Sequence, residues 1–412
     1  MSQFDVLQRI NAQNNQLLMA GKTAEQLIAI AGGAPLFVYD TKVMTRQFEK
    51  LQQALPQSVR IHYAIKANPH MGVLNHMAKL VHGFDLASHG ELVKALATGM
   101  LPERISFAGP AKSELELRAA ITAGVKINVE SELELQRIGD LGEQLNIRPK
   151  IAFRVNPDFE LKAAGMKMAG GSKPFGIDAE QIPYLLSLLH SQDFDFQGFH
   201  IFTGSQNLRP DSIIQNHQRT FLLAEELACE AERFSLDVKY LNIGGGLGVP
   251  YFQGELAIEL DDIGANLQTL LDGRSLRLQD TEVVMELGRY LVAESGVYLC
   301  QVTDVKGSRG KNFVITNGGM HHHLANSGNL GQMIRRNYPV VMANQLESGE
   351  DNKIRVDVVG PLCTPLDILA ANIELPDPKV GDVIAVLQSG AYGASASPQD
   401  FLSHPHAREL VL

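Results

Sequence analysis

The 412-residue chain contains no tryptophan, so nothing it does depends on an indole. It has only three cysteines, Cys229, Cys300 and Cys363, odd in number and far apart. That spacing excludes a disulfide framework and a Cys-x-x-Cys metal site, and it fits a reducing compartment such as the cytoplasm. No apolar run approaches the roughly 18 residues that a membrane helix needs. The opening MSQFDVLQRINAQNN lacks the basic stretch and apolar core expected of a signal peptide. Positive charge is also short: 36 Lys and Arg stand against 46 Asp and Glu, a net charge of −10. With no basic run, the chain reads as a partner of neither nucleic acid nor an anionic membrane.

Hydrophobic residues make up 45% and charged residues 20%, ordinary globular usage that leaves ample material for a large core. Short β-rich segments alternate with helical patterns. VRIHYAIKA, ending near Lys66, reads as the first strand, and a helix is expected over 72–82. FDLAS (84–88), ISFAGP (105–110), KINVES (126–131) and IAFRVNP (151–157) follow, each leading into a helix. FQGFHIFTG (196–204), YLNIGGG (240–246) and EVVMELGRYLV (282–292) complete a set of eight. Eight β segments in about 250 residues, the first seven each followed by a helix, predict an α/β chain with a (β/α)8 TIM barrel over residues 41–292. A doubly wound sheet is the competing reading. After residue 293 helical periodicity nearly vanishes, and GVYLCQVTDVKG, NFVITNGG, KIRVDVVGP and DVIAVLQSGAYG read as strands. They predict a mostly-β domain, a β-sandwich or barrel-like unit. PLFVYD (35–40) is strand-like too and would join it, making a discontinuous domain of residues 1–40 and 293–412.

Active sites of such barrels lie at the C-terminal ends of the strands. There the sequence places Lys66 and Asn68, Asp85 and Ser88, Arg154 and Asn156, and His200 followed by Gly204, Ser205 and Gln206. Gly244, Gly245 and Gly246 follow the seventh strand, and the eighth carries Glu286, Gly288 and Arg289. Lys66 in apolar YAIKAN is either a lysine that snorkels or pairs with Asp85, or a Schiff-base lysine kept nucleophilic by its surroundings. Consecutive glycines after a strand let backbone N–H groups approach an anion, and the seventh strand of a barrel is a place where phosphate sites recur. Glu286 and Arg289 form an ordinary ion pair, or else Glu286 bonds the protonated ring nitrogen of a cofactor.

YAIKAN, GSKPFGID, GSQ, GGGLG, ELGR, GPLC and AYGAS stand in the order and spacing of fold-type III pyridoxal-phosphate enzymes. From FVYD (37–40) to AYGAS (391–395) the chain resembles the diaminopimelate/ornithine decarboxylase family. The resemblance implies that Lys66 forms the Schiff base with pyridoxal 5'-phosphate and that Glu286 bonds its pyridine nitrogen. Gly244, Gly245, Gly246, Ser205, Arg289 and Tyr392 would hold the phosphate, with Gly288 alongside. Asp85 and Arg154 would form a charged support behind the ring. Cys363 would reach the neighbouring subunit's site and help protonate Cα after CO2 leaves, which places the active sites at a head-to-tail homodimer interface.

Three departures from the family stand out. The histidine that stacks on the ring, two residues before the Gly-Ser pair, is Phe202 here. Phe202 can stack but not hydrogen-bond. His200 lies two residues earlier on the same strand face and offers a polar contact. The acid that follows the family's cysteine and binds a distal substrate amine is Thr364 here, and Asp367 is the nearest carboxylate. That argues against diaminopimelate, ornithine and lysine as substrates. The Arg-Pro segment of the diaminopimelate enzymes is replaced by NGGMHHHLANSGNLGQMIRRNYPV, where Arg335 and Arg336 supply cations. His321–His323 read as pocket lining or loop surface, not as a metal site.

These departures resemble a side branch of the family from specialised biosynthesis and exopolysaccharide-associated gene clusters. Members of it act on amino acids tethered to carrier proteins or on siderophore intermediates. The expected activity is decarboxylation of an L-amino acid or an amino-acid conjugate. The alternatives are a non-catalytic pyridoxal-phosphate-binding protein, which needs neither the β domain nor Cys363, and an amino-acid racemase, whose fold class typically places an arginine where Glu286 stands.

Overall fold

The computed structural model describes residues 12–159, 166–189, 193–330, 335–347 and 352–412. These fall into two compact units. One comprises Gln47–Val249 and Ala257–Leu291; the other comprises the described residues up to Arg46, with Pro250–Leu256 and Val292–Leu412.

The first unit is built on eight parallel strands, β1 (Val59–Ala64), β2 (Gly83–Leu86), β3 (Ile105–Phe107), β4 (Lys126–Val129), β5 (Lys150–Asn156), β6 (Asp195–His200), β7 (Tyr240–Asn242) and β8 (Glu282–Leu287). Each pairs with the next, and β8 pairs back onto β1 through Val283↔Val59 to Leu287↔Tyr63, so the sheet closes into a barrel. Closure decides against the doubly wound sheet. The strands are almost wholly buried, as expected for a parallel sheet covered by helices.

Local chemistry starts the barrel helices. Three successive ones open on Ser-x-x-Glu: Ser88 caps His89–Ala97, Ser113 caps Glu114–Ala123 and Ser131 caps Glu132–Leu145. In each the serine oxygen accepts the N–H of the glutamate three residues on, which satisfies one of the orphan donors of the first turn. Glu116 completes a capping box by accepting the Ser113 N–H at 2.9 Å.

Boundaries differ from the sequence expectation where geometry overrides pattern. β1 stops at Ala64, and Lys66 sits in a 3-10 turn, Ile65–Ala67, rather than in the strand. The helix expected over 72–82 is the shorter Met71–Met77. The helix after β5 is Ile182–Leu188, entered through a 3-10 turn.

The second unit is mostly antiparallel sheet. Its longest strand, Gly296–Ser308, pairs with Lys311–Thr316, with Val383–Val386 and with the early strand Leu36–Tyr39. Leu36–Tyr39 also pairs in parallel with Arg408–Val411, so segments from both ends of the described chain share one sheet. The strand Ile368–Pro376 was not visible in the sequence, because its Ala, Asn and Pro content hides the pattern. Leu36, Val38, Leu299, Ala385 and Val383 form a core with Leu27 of a capped helix, Ala24–Ala31. Among the described residues no helix is long and apolar enough to cross a membrane.

One buried group of the barrel unit gives a clean pH handle. His217, on the helix Pro210–Glu232, is fully buried, and neither ring nitrogen has a hydrogen-bond partner. Burial pulls its pKa down from 6.5 to about 4. The folded protein therefore holds it neutral while the unfolded chain takes up a proton below 6.5. Its share of stability is complete above pH 6.5 and is lost as pH falls toward 4, at about 1.4 kcal/mol per pH unit. We expect His217→Leu to flatten the decline of denaturation free energy between pH 6.5 and 4 by that amount, measured by urea unfolding.

Candidate active site

The C-terminal end of the barrel gathers the polar residues that its strands carry. Register sets them side by side: His200 at the end of β6 is level with Arg154 of β5 and with Asn242 of β7. Asp85 on β2 lies level with Ala64 of β1 and Ser106 of β3. Just beyond β1, Lys66 is exposed between buried Ile65 and Ala67, with its amine 5.7 Å from the ring centroid of Phe202. Phe202 lies just beyond β6 and is half-buried.

Glu286, on β8, is the electrostatic centre. It is 8% exposed, yet it remains a carboxylate. Burial alone would raise its pKa, but His200, whose Nε2 stands 3.3 Å from Oε2, and the charges of Lys66 and Arg154 outweigh it and hold the group at about 2. Asn242 donates a further hydrogen bond to Oε2 at 3.1 Å. Asp85 goes the other way. Burial and the negative charge of Glu286 push its pKa well above the usual carboxylate range, against the opposing pull of Ser106, Lys66 and Lys126. Ser106 Oγ donates a hydrogen bond to Asp85 Oδ1, and His62 Nδ1 stands 3.8 Å from its Oδ2.

Arg154 is charged but engaged. Its Nη1 donates to Glu130 Oε1 at 2.9 Å and its guanidinium lies 5.3 Å from the Phe175 ring centroid. Glu130 also accepts the backbone N–H groups of Gly109 and Gly176, tying three loops to one carboxylate. Burial raises its pKa, but Arg154 and Lys112 outweigh burial and bring it below the ordinary value.

The glycine turn after β7 requires its glycines. Gly244 has φ +69° and Gly246 has φ +91°. A Cβ on Gly245 would stand 1.9 Å from the Glu286 carbonyl oxygen. The turn is fastened to β8 by the Glu286 N–H, which donates to Gly244 O at 2.9 Å. Ser205 belongs to a two-residue strand, Gly204–Ser205, paired with Met166–Lys167. Gly288 and Arg289 follow β8, Arg289 opening a short helix, Arg289–Val292.

The other expected residues belong to the second unit. Cys363 is exposed, not the buried small hydrophobe that a free cysteine usually is, while Cys300 is buried and its thiol is pushed up to about 12 by burial. Thr364 lies in the same loop, and its hydroxyl accepts the Leu366 N–H at 3.3 Å. Asp367 does not take the place of the missing acid. It is buried, and its carboxylate accepts the N–H groups of Met320 at 2.6 Å and Leu362 at 2.8 Å. Gly319 and Gly360 make room for it, since a Cβ on either would stand 2.3 Å from a carboxylate oxygen. Arg335 donates to the Ile368 carbonyl at 2.7 Å, and Arg336 pairs with Glu255 at 3.1 Å while lying 3.7 Å over Phe252. Tyr392 is half-buried at φ +54°. His321–His323 are all buried, which corrects the loop-surface reading. His322 is bonded to Tyr298 and the Pro405 carbonyl, and His323 to Ser389.

Sequence reasoning missed Glu130 and Asn242. Both ends were readable as polar residues closing a barrel strand, in KINVES and YLNIGGG, but neither matched a motif. The residues present fit a phosphorylated aldehyde cofactor: an exposed amine, a flat aromatic wall, a buried anionic carboxylate, and a glycine turn without room for a Cβ at Gly244 or Gly245.

The comparisons agree. The family described as "Pyridoxal-dependent decarboxylase, pyridoxal binding domain" matches residues 41–293. The chain is 37% identical over 388 residues to the L-glutamyl-[BtrI acyl-carrier protein] decarboxylase of Niallia circulans, covering 92% of this chain and 88% of that one. It is 32% identical to the 2-[(L-alanin-3-ylcarbamoyl)methyl]-2-hydroxybutanedioate decarboxylase of Staphylococcus aureus, covering 94% of this chain and 96% of that protein. The crystal structure of diaminopimelate decarboxylase from Helicobacter pylori complexed with L-lysine superposes with a TM-score of 0.82 at 29% identity, covering 94% of each chain. The chain belongs to the pyridoxal-dependent decarboxylases, and it is an enzyme of that family with pyridoxal phosphate as its cofactor.

Proposed function

We propose that the enzyme removes the α-carboxyl group of an L-amino acid whose distal end is an acyl conjugate, a carrier-tethered glutamyl group first among them. The observation that carries this is the loop Gly360–Asp367. Thr364 follows Cys363 where the family has an acid, and Asp367 is committed to two backbone N–H groups. Neither leaves a carboxylate for a distal ammonium. The relatives support it: one acts on an L-glutamyl group on an acyl-carrier protein, the other on an L-alanin-3-ylcarbamoyl conjugate.

Pyridoxal phosphate, when bound, supplies a ring that accepts the electron pair left behind as CO2 departs. The chain's own residues do the rest. Lys66, whose exposed amine stands 5.7 Å from the Phe202 ring centroid, would be the residue that holds the cofactor. Glu286, kept anionic by His200 and Asn242, keeps the proton on the ring nitrogen. Phe202 offers a flat apolar wall without a hydrogen bond. The backbone of Gly245 and Gly246, with Ser205 and Arg289, would hold the phosphate, the Gly244 N–H being taken by Asn242. The exposed Cys363 of the partner subunit returns a proton to Cα, in a head-to-tail homodimer.

Purified wild-type protein with pyridoxal phosphate is expected to show a visible absorption band that Lys66→Ala abolishes. CO2 release is expected to be fastest from glutamyl thioesters of a phosphopantetheine arm. Faster release from free diaminopimelate, lysine or ornithine would overturn the substrate assignment.

Shared sites make a second prediction. Lys66→Ala and Cys363→Ala proteins, each nearly inactive alone, should recover about a quarter of wild-type activity when dissociated and mixed, because half of the dimers are mixed and each has one intact site. No recovery, with exchange verified by mass spectrometry, would place Cys363 in its own subunit's site or outside catalysis.

A further inference from the structure

We propose that Asn242 is a positioning residue that aims the Glu286 carboxylate and locks it to the glycine turn. The proposal rests on the pyridoxal-phosphate reading of this site and assigns a role to a residue outside the motifs.

Asn242 ends β7 and is fully buried. Its Oδ1 accepts the Gly244 N–H at 2.8 Å. Its Nδ2 lies 3.1 Å from Glu286 Oε2 and 3.2 Å from Tyr240 Oη. The amide can face only one way. A backbone N–H only donates, so it must meet the oxygen; an ionised carboxylate only accepts, so it must meet the nitrogen.

The bonds close a circuit. The Glu286 N–H donates to Gly244 O, the Gly244 N–H donates to Asn242 Oδ1, and Asn242 Nδ2 donates back to Glu286 Oε2. One small ring thus joins the turn assigned to the phosphate with the carboxylate assigned to the ring nitrogen. Moving either end strains the other, so the distance between the two anchoring points is set before the cofactor arrives. Asn242 Nδ2 at 3.1 Å and His200 Nε2 at 3.3 Å both stand against Oε2.

The residue must be a neutral amide. An aspartate of the same shape still accepts from Gly244, but it cannot donate to Glu286 without a proton. It also sets a second negative charge beside a carboxylate already buried, and like charges so close resist joint ionisation.

Asn242→Asp separates the two functions. We expect its affinity for pyridoxal phosphate, read by absorbance titration, to stay within about fivefold of wild type, because the Gly244 contact survives. The pH midpoint of the bound cofactor's visible band should move by about one unit or more, and turnover should fall about tenfold or more. Asn242→Ser, which removes the donors without adding charge, should shift the band in the same direction by less. In a Glu286→Gln background the Asn242→Asp effect on the band should largely vanish, because its target is gone.

An unchanged band profile in both single variants overturns the proposal, as does an Asn242→Asp shift of equal size in the Glu286→Gln background. A lowered melting temperature with an unmoved band assigns Asn242 to stability alone and overturns it too. A wild-type protein that takes up no cofactor defeats the functional reading first, and this outcome is read before any Asn242 variant is made.

Discussion

A carboxylate kept charged inside a barrel is the constraint around which this site is arranged. Withdrawing a single ion from water costs several kcal/mol even after the protein relaxes, so Glu286 stays anionic only while its neighbours repay that cost. His200 and Asn242 do so by contact, and Lys66 and Arg154 at longer range. The same charge governs residues that do not touch it. Burial and Glu286 push the Asp85 carboxyl upward, so two acids at one barrel mouth are shifted in opposite directions. Arg154 is left to pair with Glu130, which in turn gathers the loops after β3 and β5.

The backbone around Glu286 carries a second demand. Its N–H fastens the glycine turn and its carbonyl leaves no room for a Cβ on Gly245. Charge and backbone thus meet at one residue, and the strand β8 serves both. In the second unit Asp367 plays a comparable organising part without being a reacting group. It spends its carboxylate on two backbone N–H groups, shaping the loop that presents Cys363 and Thr364.

Much of this was legible in the sequence because barrel chemistry is written at strand ends. The βα alternation gave the architecture, and Lys66, Arg154, His200, Glu286 and the three glycines could be placed on it by counting. What stayed hidden depends on pairing across distant segments. Glu130 matters because Arg154 and two loop N–H groups reach it, and Asn242 because Glu286, 44 residues on, lies beside it. The burial of His321–His323 was hidden for the same reason, since Tyr298, Pro405 and Ser389 come from far along the chain. Lys66 was placed in a strand because apolar residues surround it, although the chain has already turned into a 3-10 helix at that point.

The central claim is the ionisation of Glu286, and infrared difference spectroscopy of the cofactor-free protein reads it directly. With Glu286→Gln as the subtraction and isotope-labelled glutamate as the assignment, the ionised carboxylate band of Glu286 is expected to persist from neutral pH down to about pH 3. A protonated carboxyl band assigned to Glu286 at pH 6–7 would contradict the account.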